Sequence, residues 1–330
     1  MTAEPLFEVL DGGLLTTIQD RGRPGFTHLG VPEGGAADPW SLAVANLLAG
    51  NEPADAALEA TIVGPTLRAL RDVMIALAGA DLGAGVGGRR LAPDRTHRLG
   101  SGEILELSGA SEGAGGRAIL AISGGLDVPV VLGSRSTCLA AAFGGHEGRP
   151  LRAGDVLLGP TPTDRAVLDR VWPAPDQLPR GRGPSSSVLR VLPGPAQGLD
   201  ALLQIQWRVA PASDRVGTRL DGPALPSGIG GEVTTHGVTW GAIQVPPDGR
   251  PIVLGPDHQT TGGYRVVGVV ISADRPILAQ LAPGSEVRLE TTTSEVAVEA
   301  LRAQRAALAA GAAAIRDAAG WDALADAAGG

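Results

Sequence analysis

Residues 266–271 read Val266-Val267-Gly268-Val269-Val270-Ile271, a short apolar run rich in β-branched side chains that fits a buried strand better than a helix. Two further runs have the same character, Val73-Met74-Ile75-Ala76-Leu77-Ala78 and Ala118-Ile119-Leu120-Ala121-Ile122. Each ends in Gly, Pro, Ser or Asp, and the 49 glycines and 26 prolines of the 330-residue chain supply turns between many short strands. The fold class is therefore mainly β.

Immediately upstream of the first run lies Asp257-His258-Gln259-Thr260-Thr261-Gly262-Gly263-Tyr264, which holds a carboxylate, an amide, two hydroxyls and the only tyrosine beside a Gly-Gly pair. Such a segment is expected to turn tightly and present backbone N–H groups to a small polar ligand. Similar polar density recurs in Thr16-Thr17-Ile18-Gln19-Asp20-Arg21-Gly22-Arg23-Pro24-Gly25, where Arg21 and Arg23 can grip a carboxylate or phosphate or instead pair with Asp20. Ser213-Asp214-Arg215-Val216-Gly217-Thr218-Arg219 is a third such stretch, and Gly217 there argues for loop or strand.

A helix is expected at 39–48, with Asp38 as N-cap and Pro39 at the first helical position; Asp38 is thus either a cap or a site residue. Asn46, Asn51 and Glu59 read as buried hydrogen-bonders or as site groups. The Pro-, Gly- and Ser-rich stretch after Trp172 reads as a linker. The division is residues 1–172 as an N-terminal β-rich lobe, 173–187 as linker, 188–290 as a C-terminal lobe, and 291–330 as a helix and tail. Thr292 and Glu295 form a candidate capping box for that helix, whose Leu301, Leu308 and Ile315 make one narrow apolar seam.

All 27 basic residues are arginine. The chain therefore cannot carry biotinyl-lysine, form a lysine Schiff base or use a P-loop lysine. A net charge of −8 disfavours nucleic-acid and anionic-membrane partners. The single Cys138 forms no internal disulfide and reads as a small buried side chain, and no stretch resembles a signal peptide or membrane span, so a reducing cytoplasm is expected. His28, His97, His146, His236 and His258 show no metal-ligand spacing, so no metal site is expected. Gly83-Ala84-Gly85-Val86-Gly87-Gly88 satisfies a dinucleotide-binding spacing, yet Arg89-Arg90-Leu91-Ala92-Pro93 opens no helix to receive a pyrophosphate, so a hairpin turn is the better reading. Gly109 to Gly113 matches a nucleophile elbow, again without the helix that architecture needs.

Taken in order, the polar stretches above resemble the biotin-dependent carboxyltransferase family, also called the allophanate hydrolase subunit 2 or 5-oxoprolinase C subunit family. Gly34-Gly35-Ala36-Ala37-Asp38, Leu58-Glu59-Ala60-Thr61, Ser123-Gly124-Gly125-Leu126-Asp127, Gly133-Ser134-Arg135-Ser136-Thr137 and Gly241-Ala242-Ile243-Gln244-Val245-Pro246 extend the resemblance across residues 6–290. The resemblance implies two cyclophilin-like β-barrel lobes with a few helices and a groove between them. It implies a smaller partner of the allophanate hydrolase subunit 1 type and a third subunit, acting together as an ATP-dependent 5-oxoprolinase that opens the lactam of 5-oxoproline to glutamate, with Mg²⁺ accompanying the nucleotide. Two other branches are a carboxyltransferase acting on urea or a related amide with biotin on a partner, and a non-enzymatic antagonist of a histidine-kinase inhibitor.

An amide carbonyl is a poor electrophile, so either enzymatic branch must polarise its oxygen and move a proton. The candidate catalytic residues are Asp257 as general base or metal ligand, Tyr264, His236, and Arg215 as oxyanion or phosphoryl stabiliser together with N–H groups near Gly262 and Gly263. Gln244, Gln259, Thr260 and Thr261 are expected to orient the amide, and Arg21 or Arg23 to hold a substrate carboxylate or phosphate. Asp20, Asp38, Asn46 and Glu59 are structural or site residues. Against the family pattern, Arg265 stands where proline commonly follows Gly-Gly-Tyr and is expected to loosen that turn, while Trp240 occupies a usual proline position.

Overall fold

The computed structural model describes residues 3–110, 114–160, 169–173 and 187–328, with side chains to residue 317. The expected linker falls almost wholly on 174–186 and the elbow-like turn on 111–113, outside the described residues. The chain is mainly β, as its apolar runs indicate.

The first lobe is built from β1 (Ala3–Asp11), β2 (Leu15–Gln19), α1 (Pro39–Ala49), β3 (Ala57–Thr61), β4 (Thr66–Ala69), β5 (Val73–Gly79), β6 (Ala84–Val86), β7 (Arg89–Arg90), β8 (Arg95–Leu99), β9 (Ile104–Leu107), β10 (Arg117–Ile122) and β11 (Val156–Pro160). Its strands form two sheets, ordered β11-β1-β4-β9-β6-β7 and β2-β3-β10-β5-β8. One core lies between them, with Phe7, Val9, Leu67 and Leu105 from one sheet meeting Ile75, Leu77, Leu120 and Ile122 from the other. The opposite face of the second sheet is also covered: Ala76, Ala78, Ile119 and Ala121 pack under Trp40, Val44 and Leu48 of α1. Burial on both faces explains why β5 and β10 read as unbroken apolar runs without alternation.

Helix α1 begins where its cap predicts, with Asp38 Oδ1 accepting Ser41 N–H at 2.9 Å and Pro39 in the first turn, and it stops at Gly50 in the left-handed conformation. The glycine-rich 83–88 stretch is a hairpin: β6 pairs with β7 across Gly87 and Gly88, both at positive φ.

The second lobe contains β12 (Ser187–Pro193), α2 (Leu199–Leu203), β13 (Trp207–Val209), β14 (Gly217–Asp221), β15 (Glu232–Gly237), β16 (Ala242–Val245), β17 (Ile252–Leu254), β18 (Thr261–Val270), α3 (Arg275–Gln280) and β19 (Glu286–Thr291). Its strands run β12-β19-β13-β14-β17-β16-β18-β15, and an added β12–β18 pairing closes seven of them into a barrel. Leu189, Val191, Trp207, Ile243, Val253, Val267 and Leu289 fill it. The strand β15 stays outside the closure, an exposed ribbon paired only to β18.

Helix α4 (Ser294–Ala328) returns to the first lobe. Its cap is Thr293, whose Oγ1 accepts Val296 N–H at 3.4 Å, one residue later than the Thr292 capping box. Ile315 is buried and Leu308 half-buried against Trp172, which meets Trp40 edge-on at 6.4 Å. No helix among the described residues is long and apolar enough to cross a membrane.

An ion pair fixes the loop before β11. Asp155 accepts both Arg149 Nη1 and Nη2 at 2.8 Å and Arg152 N–H at 2.8 Å, and its Arg149 hydrogen bonds hold the carboxyl down at about 2. The lowered value adds stability above the unfolded carboxyl range that fades as pH falls toward the folded value. Asp155→Asn is expected to cost about 2 kcal/mol at pH 7 and progressively less below pH 4, read from urea unfolding midpoints at each pH.

Candidate functional site

The segment 257–264 divides into an inward half and an outward half. Backbone bonds continue the β14–β17 ladder beyond its end: Gly255 N donates to Val216 O at 2.8 Å and Asp257 N to Arg215 O at 3.1 Å. This register lays the Asp257 carboxylate against the Arg215 guanidinium. Nε donates to Asp257 Oδ2 at 2.8 Å and Nη2 to Asp257 Oδ1 at 3.0 Å.

The same guanidinium reaches across to the first lobe, where Nη2 donates to Gly35 O at 2.6 Å and Nη1 to Glu59 Oε1. Glu59 lies in the middle of β3, and its other oxygen accepts Ala37 N–H at 2.7 Å. Arg215, Glu59 and Asp257 are all buried. Burial opposes the charge on Arg215, but the Asp257 and Glu59 carboxylates outweigh it and raise its pKa. Four donor bonds to these partners leave little of the guanidinium for a ligand. Arg215 therefore keeps a single N–H, too little for a bidentate grip on an oxyanion, and both oxygens of Asp257 accept from it, which makes Asp257 a poor general base. Arg215, held in place by Asp257, joins the lobes.

A second polar bridge lies beside the first. Gln280 Nε2 of α3 donates to Asp38 Oδ2 at 2.7 Å and to Arg117 O at 3.0 Å, and Arg117 N donates back to Gln280 Oε1 at 3.2 Å. Burial pushes the Asp38 carboxyl up, against the Ser41 and Gln280 hydrogen bonds. Asp38 is thus both helix cap and inter-lobe acceptor. Asn46 spans local loops, donating to Asp55 O at 2.7 Å and accepting Asn51 Nδ2 at 3.1 Å. Asp20 accepts Gly22 N–H at 2.7 Å, Ser134 Oγ at 2.6 Å and Arg135 N–H at 2.6 Å, so it pins one loop to another. Arg21 is exposed and Arg23 is buried.

The outward half begins at Gln259. Gln259 and Thr261 are exposed, and Thr260 and Tyr264 are half-buried. Here the structure corrects the expected tight turn: residues 261–264 form the first part of β18, with Tyr264 opposite Glu232 and Gly262 opposite His236. Neither Gly262 nor Gly263 has a positive φ, so no nest of N–H groups forms. Gly262 is required for space. A Cβ there would lie 2.4 Å from Gln244 Nε2 and 3.3 Å from Val238 Cγ1. Gln244 is buried and its Nε2 has no hydrogen-bond partner. The ribbon thus sets His236 across from Gly262 and the amide end of Gln244 beside Gly262, with Tyr264 two residues further along β18.

Between the halves sits His258, which sequence reasoning does not place in the site. It is buried, its Nδ1 lies 2.6 Å from Gln259 O, and burial lowers its pKa. A neutral ring donating from Nδ1 leaves Nε2 as a basic lone pair. Its place directly after Asp257 is the available signal.

A family profile described as carboxyltransferase domain, subdomain A and B, matches residues 29–291. The chain belongs to this carboxyltransferase family. It is 36% identical to the 5-oxoprolinase C subunit of Escherichia coli strain K12 over 293 residues, 86% of this chain and 90% of that protein. It is similar to the crystal structure of TTHA0988, with a TM-score of 0.77 and 36% identity, covering 87% of this chain and 56% of that one. Against the Kluyveromyces lactis urea carboxylase the TM-score is 0.79 at 30% identity, over 93% of this chain and 29% of that one.

Two of the positions set apart in the sequence, Arg265 and Trp240, have structural roles. Arg265 does not loosen a turn, because it lies within β18 opposite Val245: its N–H donates to Gly231 O at 3.2 Å and its Nη1 to Gly228 O at 2.7 Å, bracing the loop before β15. Trp240 carries the Arg275 guanidinium 4.3 Å above its ring. Among the described residues no three His, Cys, Asp or Glu side chains converge to hold a metal ion.

Proposed function

We propose that this chain is a subunit of an ATP-dependent 5-oxoprolinase, which opens the lactam of 5-oxoproline to glutamate together with a smaller subunit of the allophanate hydrolase subunit 1 type and a third subunit. The observation that carries this reading is identity. The chain is 36% identical to the Escherichia coli 5-oxoprolinase C subunit over 90% of that protein and 30% identical to the urea carboxylase.

The ribbon supplies the groups that an amide needs. Gln244 and Tyr264 offer donors to the lactam carbonyl, and His236, whose Nδ1 lies 3.2 Å from Thr234 O, is placed to move a proton. Thr260, Thr261 and Gln259 border this face. Among the described residues no three metal-ligating side chains converge, the sequence has no lysine, and four of the five Arg215 N–H groups are engaged, so arginine and backbone N–H groups would have to hold any nucleotide phosphate on this chain.

The second reading is carboxyl transfer from carboxybiotin to urea or a related amide, favoured by the superposition on urea carboxylase over 93% of the chain. Without lysine, this chain would require biotin on a separate carrier.

The deciding experiment is 5-oxoproline-dependent phosphate release by the co-purified subunits, with each omitted in turn. Release coupled one-to-one with glutamate and lost without this chain is the expected result. A complete, stable complex without that coupling sinks the 5-oxoprolinase reading and makes carboxybiotin-dependent transfer the next assay.

A further inference from the structure

A groove of about 990 Å³ runs between the first lobe and helix α4, at the upper end of the size range of small-molecule sites. None of its lining comes from the second-lobe barrel, the ribbon or the ion cluster at the lobe junction. Its charge runs against that of the chain. Arg71, Arg98, Arg170, Arg305 and Arg316 line it against two acids, Glu52 and Asp72, in a protein whose net charge is −8. A cleft lined mainly by one sign of charge concentrates ligands of the other sign.

Helix α4 supplies one wall. Arg305, Leu308, Ala309, Ala312 and Arg316 all line the groove, at the three- and four-residue spacing that keeps them on one helix face. The two arginines stand about 16 Å apart along the axis at the α-helical rise. Both are exposed, and neither has an ion pair or hydrogen bond among the described residues. Between them Ala309 and Ala312 have nothing beyond Cβ, which leaves a shallow stretch of wall on which a planar ring can lie.

The opposing wall carries Arg71 and Arg98. Arg98 Nη2 pairs with Asp72 Oδ2 at 2.8 Å, both side chains being largely exposed. Arg71 Nη1 pairs with the half-exposed Glu4 at 2.7 Å, and its buried Nε has no hydrogen-bond partner. Exposed pairs of this kind add little stability, so each guanidinium can exchange its carboxylate for a phosphate at small cost. Arg170 is committed elsewhere, its Nη1 donating to Leu48 O at 3.2 Å near the end of α1.

We propose that this groove binds a nucleoside triphosphate, its phosphates met by guanidiniums and its base laid along the Ala309–Ala312 face of α4. Arginine performs both tasks, gripping phosphate through paired N–H donors and stacking flat on aromatic rings. Cations spread along the groove suit an elongated polyanion, since a small carboxylate reaches only one of them. The choice of ATP among such ligands rests on the 5-oxoprolinase reading; the site itself does not.

The test is calorimetric titration of ATP with Mg²⁺, and of inorganic triphosphate, into the full-length chain and into the co-purified complex. Wild type is expected to bind ATP about tenfold tighter than triphosphate, the share of the base contact. Arg305→Gln combined with Arg316→Gln is expected to weaken ATP binding about 30-fold, the loss of charge-assisted hydrogen bonds. Thermal unfolding should not change, because both side chains are exposed. Arg302→Gln removes the same charge from an exposed position of the same helix outside the groove, and should shift the affinity by less than about threefold. Absence of ATP binding by wild type, equal affinity for triphosphate, unchanged affinity in the double variant or an equal loss in Arg302→Gln overturns the proposal. Turnover of 5-oxoproline is read separately. A complex that binds ATP through Arg305 and Arg316 without turning over 5-oxoproline upholds the site and rejects the functional reading, whereas turnover with wild-type ATP affinity in the double variant does the reverse.

Discussion

Arg215→Met is expected to destabilise the protein by about 3–5 kcal/mol, the usual cost of removing one partner from a buried ion cluster. Methionine fills much of the arginine volume but leaves the Asp257 and Glu59 carboxylates, both buried, without their cation. It also leaves Gly35 O without its donor. Adding Glu59→Gln and Asp257→Asn to the same chain should recover most of the loss, since the penalty is that of uncompensated charge more than of a missing attraction. Guanidinium unfolding of the single and triple variants measures both. A single variant within about 1 kcal/mol of wild type would show that Arg215 is not what joins the lobes.

Gly262→Ala is expected to lower kcat/KM about 100-fold, a loss typical of one misplaced polarising donor, with stability changed by less than about 1 kcal/mol. The added methyl would sit 2.4 Å from Gln244 Nε2. The amide is the far end of a flexible side chain, so it yields without unfolding the barrel, and the carbonyl-orienting position is lost. The substitution therefore separates chemistry from folding. Steady-state turnover by the assembled complex, with thermal unfolding as control, reads the result; full activity would remove Gln244 from the site.

The strands are legible in the sequence because burial on both faces of β5 and β10 leaves no polar residue to blur the apolar runs. The α1 cap is legible because Asp38 and Pro39 are local signals. The segment 257–264 misleads for an equally physical reason: a Gly-Gly pair serves turns and close packing alike, and only the partner strand shows that Gly262 makes room for Gln244. Thr292 loses the helix cap to Thr293 because two adjacent threonines offer the same hydroxyl and register alone chooses.

The role of Arg215 is not legible. Its partner Glu59 lies 156 positions away, and no spacing rule reports a contact made by docking one lobe on another. Chemistry-bearing residue types stand out in 20–59, 213–219 and 257–264, but whether a charge is spent on structure or free for a ligand depends on counting its hydrogen bonds. By that count Arg215 is spent, and Arg305 and Arg316 are not.

The sharpest test of this division is 5-oxoproline turnover by the reconstituted complex carrying Asp257→Asn, normalised to folded protein. A junction residue predicts a clearly less stable complex whose kcat stays within about fivefold of wild type. A complex of unchanged stability with kcat reduced about 100-fold or more would make Asp257 the general base and overturn its assignment to the lobe junction.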